Sequence, residues 1–279
     1  MADEKPARLE IGSTLKKIKQ PHQVALALMA HVLLKPKTWL LAHPETHLSK
    51  AQFDQLEGLL ARLEAGEPLP YLIGRQEFFG LEFEVNPSVL IPRPETEMLV
   101  EVALRWLKTH PEARKGIDVG TGSGCIAVSL ASHCPDLIMT ATDISPHALE
   151  VASRNAQKHH VAGRVSICCC DLLPEKVQPV ELLCANLPYI PTTKLSEVDS
   201  LPWEPKLALD GGKSGLDVIN ALLAQAPAFI NRPGLILLET EATLGNQTLA
   251  LAKMYFPEVE VSLLQDLSNR DRLIRIELK

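Results

Sequence analysis

A short glycine-rich turn near the middle of the chain limits the possible folds more than any other feature. Its residues are Gly120, Thr121, Gly122, Ser123 and Gly124. An apolar run precedes the turn and a helical pattern follows it, so the turn joins a buried strand to a helix. Because glycine lacks a Cβ atom, a ligand can approach such a backbone closely at the helix N-terminus. The sequence therefore predicts an α/β unit with a ligand at this turn.

Beyond about residue 96, strand patterns alternate with helical patterns, which predicts a parallel sheet. We predict strands at residues 116–119, 137–142, 165–170, 180–185 and 234–239, helices at residues 97–108, 123–133, 146–160, 218–228 and 243–254, and a final hairpin from residue 259. Before residue 96 the pattern differs. Helical spacing up to about Leu63 includes a possible capping box at Ser49 and Gln52, and alternation over residues 77–85 predicts a β-hairpin.

Composition excludes several classes of protein. The 279 residues carry 28 Lys and Arg against 34 Asp and Glu, a net charge of -6, which argues against direct nucleic-acid binding. Met1 to Lys5 lack the pattern of a signal peptide, and no apolar run reaches the length of a membrane span. The six cysteines include no CxxC pair, and we predict a cytoplasmic protein. The histidines lack the spacing of metal ligands, and we predict no metal. Nothing in the sequence requires more than a monomer.

Polar side chains lie at the carboxyl ends of four predicted strands, and parallel strands bring these ends to one edge of a sheet, where such sheets bind ligands. The four residues are Asp118, Asp143, Asp171 and Asn186. Asp118 could bind an ammonium group, Asp143 both ribose hydroxyls, and Asp171 an adenine amino group while Leu172 packs on the ring. S-adenosylmethionine explains all of these. The alternatives are a purely structural glycine turn, a helix cap at Asp143 and a solvated Asp171.

The segment Asn186, Leu187, Pro188 and Tyr189 follows the fourth strand and indicates methyl transfer to a planar nitrogen. An amide or exocyclic amine nitrogen is a poor nucleophile, so acceptors must hold its NH2 group and aim its lone pair. The Asn186 side-chain oxygen and the Pro188 carbonyl supply such acceptors, and Tyr189 could add a flat apolar wall.

Further segments are too specific for a general methyltransferase. They are Pro70, Tyr71 and Gly74, then Phe79 with Gly80, then residues 90–97, residues 204–212 with 215–217, and residues 266–272. Together with the glycine turn and the Asn186 segment they span nearly the whole chain. On these motifs the chain resembles the PrmC/HemK family of release factor glutamine methyltransferases.

The resemblance implies a Rossmann-like S-adenosylmethionine-dependent methyltransferase domain at residues 96–279, a linking β-hairpin at 76–95 and a small N-terminal helical domain at 1–75 that docks a peptide chain release factor. It also implies that the glutamine of the factor's Gly-Gly-Gln loop enters a pocket at residues 186–189. Carried over by position, the residues that contact the cofactor are Gly120, Thr121, Gly122, Ser123, Gly124, Asp143, Leu172 and Asn186, and those that contact the glutamine amide are Asn186, Leu187, Pro188 and Tyr189.

Two points stay open at this stage. The family usually has proline where this chain has Leu187, and an Asn-Leu-Pro-Tyr segment also occurs in adenine dimethyltransferases of ribosomal RNA. Leucine is expected to loosen the segment while leaving the acceptors in place. An adenine-N6 methyltransferase and a non-catalytic binding module are the competing functions. Arg93 and Glu95 lie in a proline-bracketed loop that either covers the substrate or forms a structural ion pair.

Overall fold

The computed structural model describes residues 9–175, 178–198 and 202–279. The chain divides into two compact units between Gly74 and Arg75. Residues 1–8, which include the start of the predicted N-terminal domain and the segment tested for a signal peptide, lie outside the described residues. Within the described ranges, no helix combines the length and the apolar character needed to cross a membrane.

The first unit is helical, as the spacing of its apolar residues predicts. Its helices are α1 (Ile11–Lys17), α2 (His22–Leu33), α3 (Lys37–Ala42), α4 (Lys50–Glu64) and α5 (Leu69–Ile73). The predicted capping box is confirmed, because the Ser49 side chain accepts from the Gln52 amide and the Gln52 side chain accepts from the Ser49 amide. Helix α2 is buried over most of its length and forms the centre of this unit's core.

A short hairpin opens the second unit, with strands β1 (Arg75–Phe78) and β2 (Leu81–Glu84). Phe79 and Gly80 form its two-residue turn with φ angles of 49° and 72°, which suits the twist of paired strands. The hairpin packs on the helix that we name α8 (Pro146–Lys158), where Asn155 Oδ1 accepts from the Glu84 amide at 2.7 Å. The predicted hairpin is therefore part of the second unit's own structure.

Within the described residues, a seven-stranded sheet forms the centre of the second unit. Its strands are β3 (Lys115–Val119), β4 (Ile138–Asp143), β5 (Val165–Cys169), β6 (Val180–Ala185), β7 (Ile230–Glu239), β8 (Glu260–Gln265) and β9 (Asp271–Leu278), in the order β5, β4, β3, β6, β7, β9, β8. Strands β3 to β7 are parallel and β9 is antiparallel to both neighbours. The order reverses at β3, which makes a ligand-binding crevice at its carboxyl end. The predicted Rossmann-like α/β fold is confirmed.

Helices cover both faces of the sheet. They are α6 (Glu97–Thr109), α7 (Cys125–His133), α8, α9 (Asp217–Gln225) and α10 (Gly245–Tyr255). One buried cluster includes side chains of α6 and α7, and the other includes those of α9 and α10. One boundary error next to the crevice is the start of α7, predicted at Ser123. Gly124 has a left-handed φ of 80°, so the helix begins at Cys125.

Candidate active site

A cleft of about 220 Å³ lies at the carboxyl ends of β3, β4, β5 and β6. The predicted site residues that line it are Arg93, Gly120, Thr121, Gly122, Ser123, Asp143, Asp171, Leu172, Asn186, Leu187 and Pro188. Four other predicted residues, Glu95, Asp118, Gly124 and Tyr189, are absent from its lining. The topology therefore brings most, though not all, of the predicted residues to one place.

The glycine turn forms one wall of the cleft. Gly120 and Gly122 have φ angles of 70° and 55°, which residues with a side chain rarely adopt, and a Cβ at Gly122 would meet no atom of the described residues within 4 Å. Asp143 holds the turn, since its Oδ2 accepts from the Gly122 amide and its Oδ1 from the Ser145 amide, both at 2.9 Å. Each carboxylate oxygen can accept a further hydrogen bond, so the turn and Asp143 leave room and acceptors for a hydroxylated ligand.

Asp118 lies beneath the turn and is fully buried. Its Oδ2 accepts from Thr121 Oγ1 at 2.6 Å and from the Ala127 amide at 3.2 Å, whereas Oδ1 has no partner among the described residues. Burial raises the pKa of Asp118 to about 7, although these two hydrogen bonds oppose the change. A nearby cation would stabilise the charged form of a buried carboxylate that has a free oxygen. The ammonium group of S-adenosylmethionine is such a cation.

Asp171 and Leu172 line the cleft at the end of β5. Leu172 adopts a left-handed φ of 61°, which is uncommon for a residue with a side chain. The Thr142 hydroxyl donates to the Leu172 carbonyl at 2.8 Å and stabilises this conformation. Backbone strain of this kind often occurs at ligand sites, where the surrounding structure maintains it. An exposed carboxylate beside an apolar side chain suits the edge and face of a purine ring.

The Asn186 segment forms the opposite part of the cleft. Asn186 Nδ2 donates to Thr96 Oγ1 at 3.0 Å. Leu187 is 4% exposed, and a Cβ at Gly120 would lie 2.9 Å from its Cδ2. The leucine side chain thus packs directly on the glycine turn. The sequence alone suggested a looser segment at this position, whereas the packing anchors it.

A second loop lies against the backbone of the Asn186 segment. The Ile190 amide donates to the Leu209 carbonyl at 3.0 Å, and the Gly211 amide donates to the Ile190 carbonyl at 2.8 Å. A Cβ at Gly211 would lie 2.8 Å from the Pro188 carbonyl oxygen, and one at Gly215 would overlap the Tyr189 carbonyl. Glycine is therefore needed at both positions, and the loop fixes where the Pro188 carbonyl points.

Arg93 forms an ion pair whose partner differs from the one considered in the sequence. Its Nη2 lies 2.5 Å from Oε2 of Glu204, and Glu204 Oε1 accepts from the Ile91 amide at 3.1 Å. The Glu204 side chain is fully buried, so the pair holds this edge of the cleft together. Glu95, the other candidate partner, is exposed. Sequence reasoning missed Glu204 because no short spacing connects it to Arg93.

Tyr189 packs against the apolar cluster that contains α9 and α10. Burial raises the pKa of its hydroxyl to about 12, so the phenol stays neutral. Because Tyr189 does not line the cleft, its expected role as a wall for a planar group remains a prediction. Gly124 packs closely on α8, since a Cβ there would lie 3.2 Å from Ala152 Cα, and its expected contact with the cofactor stays a prediction.

Comparisons with known proteins agree with this geometry. Residues 7–74 match the family model of the PrmC N-terminal domain, and residues 96–198 match that of the methyltransferase small domain. The chain is 40% identical to the release factor glutamine methyltransferase of Moorella thermoacetica, over 91% of this chain and 90% of that protein. It is 36% identical to that of Nitratidesulfovibrio vulgaris, over 91% and 87%.

A solved structure shares the fold at low sequence identity. The 16S rRNA N2 G1207 methyltransferase RsmC of T. thermophilus, in complex with AdoMet and guanosine, superposes with a TM-score of 0.54 at 15% identity. The likeness covers 74% of this chain and 50% of that one. At this level of identity it supports the fold of the second unit and leaves the substrate to other observations.

Proposed function

The chain belongs to the family of release factor glutamine methyltransferases, and on this premise we propose that it methylates the side-chain N5 of the glutamine in the Gly-Gly-Gln motif of peptide chain release factors. The methyl donor is S-adenosylmethionine. The observation that carries the proposal is the cleft that Asn186 and Pro188 line together with the glycine turn.

The cofactor half of the cleft fits this donor. When bound, S-adenosylmethionine supplies a methyl group on a positively charged sulfur. The residues that we propose to hold it are Asp118, Gly120, Thr121, Gly122, Ser123, Gly124, Asp143, Asp171, Leu172 and Asn186. Support comes from the open face of Gly122, the spare acceptor capacity of Asp143 and the unpartnered oxygen of Asp118. Each feature matches a chemical group of this molecule.

The other half of the cleft contains Asn186 and Pro188, and we call it the acceptor half. It orients the substrate nitrogen. We propose that Asn186 Oδ1 and the Pro188 carbonyl accept the two hydrogens of the glutamine NH2 group, with Leu187, Tyr189, Arg93 and Glu95 shaping the pocket around it. Holding both hydrogens directs the nitrogen lone pair toward the methyl group and avoids the entropy loss of finding that geometry in solution. The amide becomes acidic as the new N–C bond forms and the bond between the methyl group and sulfur breaks, so its proton can leave to water afterwards. No base with a shifted pKa is needed before attack.

Two other functions compete with this one. An adenine-N6 methyltransferase would also have to hold a planar NH2 group, and Leu187 favours it. The net charge of -6 and the close similarity to release factor glutamine methyltransferases argue against it. A non-catalytic binding module would not need the Asn186 side chain to face a cleft lined by the glycine turn and Asp143.

A labelling experiment distinguishes the three functions. The protein is incubated with S-adenosylmethionine labelled in the methyl group and with a release factor, the same factor with Gly-Gly-Gln changed to Gly-Gly-Ala, or ribosomal RNA. We expect label only in the unchanged release factor. Label in the RNA would support the adenine methyltransferase, and absence of label from every substrate would support the binding module.

Because its substrate acts in translation termination, we propose that the protein works in the cytoplasm, as a monomer and without direct contact to nucleic acid. A single copy of the second unit contains every group that the proposed reaction uses, which supports the monomer. Light scattering at the working concentration tests it. If the protein forms a dimer and is fully active only at concentrations above the dissociation constant of that dimer, the proposal of a monomer is wrong.

A further inference from the structure

The side chain of Asn186 can face the cleft in two orientations that have nearly the same shape. One presents the oxygen, an acceptor, and the other presents the NH2 group, a donor. Only the oxygen can hold the NH2 group of a substrate amide. Whatever fixes this orientation therefore controls whether the site can aim its substrate.

Thr96 contacts the donor end of this side chain. Its Oγ1 lies 3.0 Å from Asn186 Nδ2 and accepts its hydrogen. Thr96 is only 2% exposed, immediately precedes α6 and lines the cleft. A hydroxyl that accepts from Asn186 still has its own single proton to donate. The direction in which that proton points decides whether Thr96 must act as the acceptor toward Asn186.

Glu239, at the end of β7, is the acidic group that interacts with both Thr96 and Asn186. Its side chain is buried, which raises its pKa, and the interactions with Thr96 and Asn186 oppose that change. Its Oε2 has no partner among the described residues. A charged carboxylate only accepts hydrogen bonds, so Thr96 has to donate to it and cannot also donate to Asn186. The donors then all run toward Glu239, from Asn186 through Thr96 and from Asn186 itself.

We propose that Thr96, supported by the Glu239 carboxylate, is a positioning residue that turns the Asn186 side-chain oxygen into the cleft. The kinetic consequence of this inference rests on the proposed function, because it assumes an amide substrate. Its structural content does not, because the orientation of Asn186 is a property of the protein alone.

The inference also predicts a pH dependence. The charged and titratable groups that face Glu239 within the described residues are Arg272, Glu95, Tyr189 and Cys125. Burial raises the pKa of Glu239 to about 7, opposed by Thr96 and Arg272 and reinforced by Glu95. Below that pH the neutral acid can donate to Thr96, and the direction of these hydrogen bonds is no longer fixed. We expect turnover to fall as the pH drops below 7, and this fall to disappear in Glu239→Gln.

The kinetic test compares three threonine variants. Thr96→Val keeps the shape and removes the hydroxyl, Thr96→Ser keeps the hydroxyl, and Thr109→Val makes the same change at the exposed end of α6. With a release factor as substrate, we expect kcat to fall roughly tenfold or more in Thr96→Val, with the Kd of S-adenosylhomocysteine within about twofold of wild type. Thr96→Ser should restore most of the turnover, and Thr109→Val should behave as wild type.

A second measurement does not depend on the substrate. The side-chain NH2 signals of Asn186 are assigned in ¹⁵N-labelled protein by their loss in Asn186→Asp. We expect them to shift and to exchange faster with water in Thr96→Val, and to stay unchanged in Thr109→Val.

The outcomes separate this inference from the proposed function. Unchanged Asn186 signals in Thr96→Val, or a wild-type kcat in that variant, would overturn the inference. So would equal losses of kcat and cofactor affinity, which would indicate general damage. If wild-type protein labels no release factor, the proposed function fails, while the NMR signals still decide the role of Thr96.

Discussion

The two halves of the cleft are held in different ways. In the cofactor half, the turn is set by backbone conformation at Gly120 and Gly122 and by Asp143 from the adjacent strand. In the acceptor half, Asn186 depends on Thr96, which lies 90 residues away in the sequence. The Pro188 carbonyl depends on a loop that contains Gly211. The first half is built largely from its own strand ends, and the second from distant segments.

This difference has a consequence for function. Changes in the turn or Asp143 should act mainly on cofactor affinity, because those groups hold the donor. Changes around Asn186 should act mainly on turnover, because those groups aim the nitrogen and, among them, Asn186 alone is also proposed to contact the donor. Variants in the two halves should therefore affect different kinetic parameters.

The largest effect is expected for Asn186→Ala, which removes one of the two proposed acceptors. We expect kcat to fall roughly 100-fold or more, since a preorganised polar group at a reacting centre contributes on that scale. The Kd of S-adenosylhomocysteine, measured by calorimetry, should stay within a few-fold of wild type. Asn220→Ala, at an exposed position on α9, is the matched control. Equal losses in both parameters would contradict an aiming role.

Asp143→Ala should give the opposite pattern. The carboxylate holds the Gly122 amide and is proposed to accept from the ribose, so cofactor affinity should fall roughly 10- to 100-fold. At saturating cofactor, kcat should recover most of its value. Asp136→Ala, an exposed change just before β4, provides the control. If Asp143→Ala instead binds cofactor normally but turns over slowly, the two halves of the cleft do not affect different kinetic parameters.

Gly211→Ala tests the contact between the two loops. An added Cβ would lie 2.7 Å from Tyr189 Cα and 2.8 Å from the Pro188 oxygen, so the segment must move. A displacement of this size at an acceptor is expected to lower kcat roughly tenfold, with a smaller effect on cofactor affinity. At Gly163 a Cβ would meet nothing within 4 Å in the part of the chain that the structure describes, so Gly163→Ala is the control. If both variants turn over alike, the loop does not position Pro188.

The smallest effect concerns stability. The raised pKa of Asp118, about 7 in the folded protein, means that the folded state keeps a proton that the unfolded chain releases at lower pH. The stability contributed by that proton is present at low pH and is lost as the pH rises through about 7. Relative to Asp118→Asn, the wild-type free energy of unfolding should decrease by about 1 kcal/mol between pH 6 and pH 7. Urea denaturation of both proteins at each pH measures this decrease. If the free energy of unfolding changes with pH in the same way in both, the pKa of Asp118 is not raised.

Local patterns were enough to predict much of the fold. The strand-to-helix turn, the capping box at Ser49 and the hairpin within residues 77–85 all depend on residues close together in the sequence. Helix α7 begins at Cys125 and not at the predicted Ser123, because the left-handed conformation of Gly124 becomes apparent only in the folded turn.

The sequence by itself determined the order of strands and helices along the chain, the glycine turn and the identity of the side chains at the strand ends. These follow from periodicity and from the lack of a Cβ in glycine, which act over a few residues. Only the tertiary structure decided that Glu204 pairs with Arg93, that Gly211 lies on Pro188, that Thr96 holds Asn186, and that Asp118 lies below the cleft rather than in its lining. Such contacts join segments far apart in the chain, and no local spacing specifies them, because they arise when the sheet brings those segments to one edge.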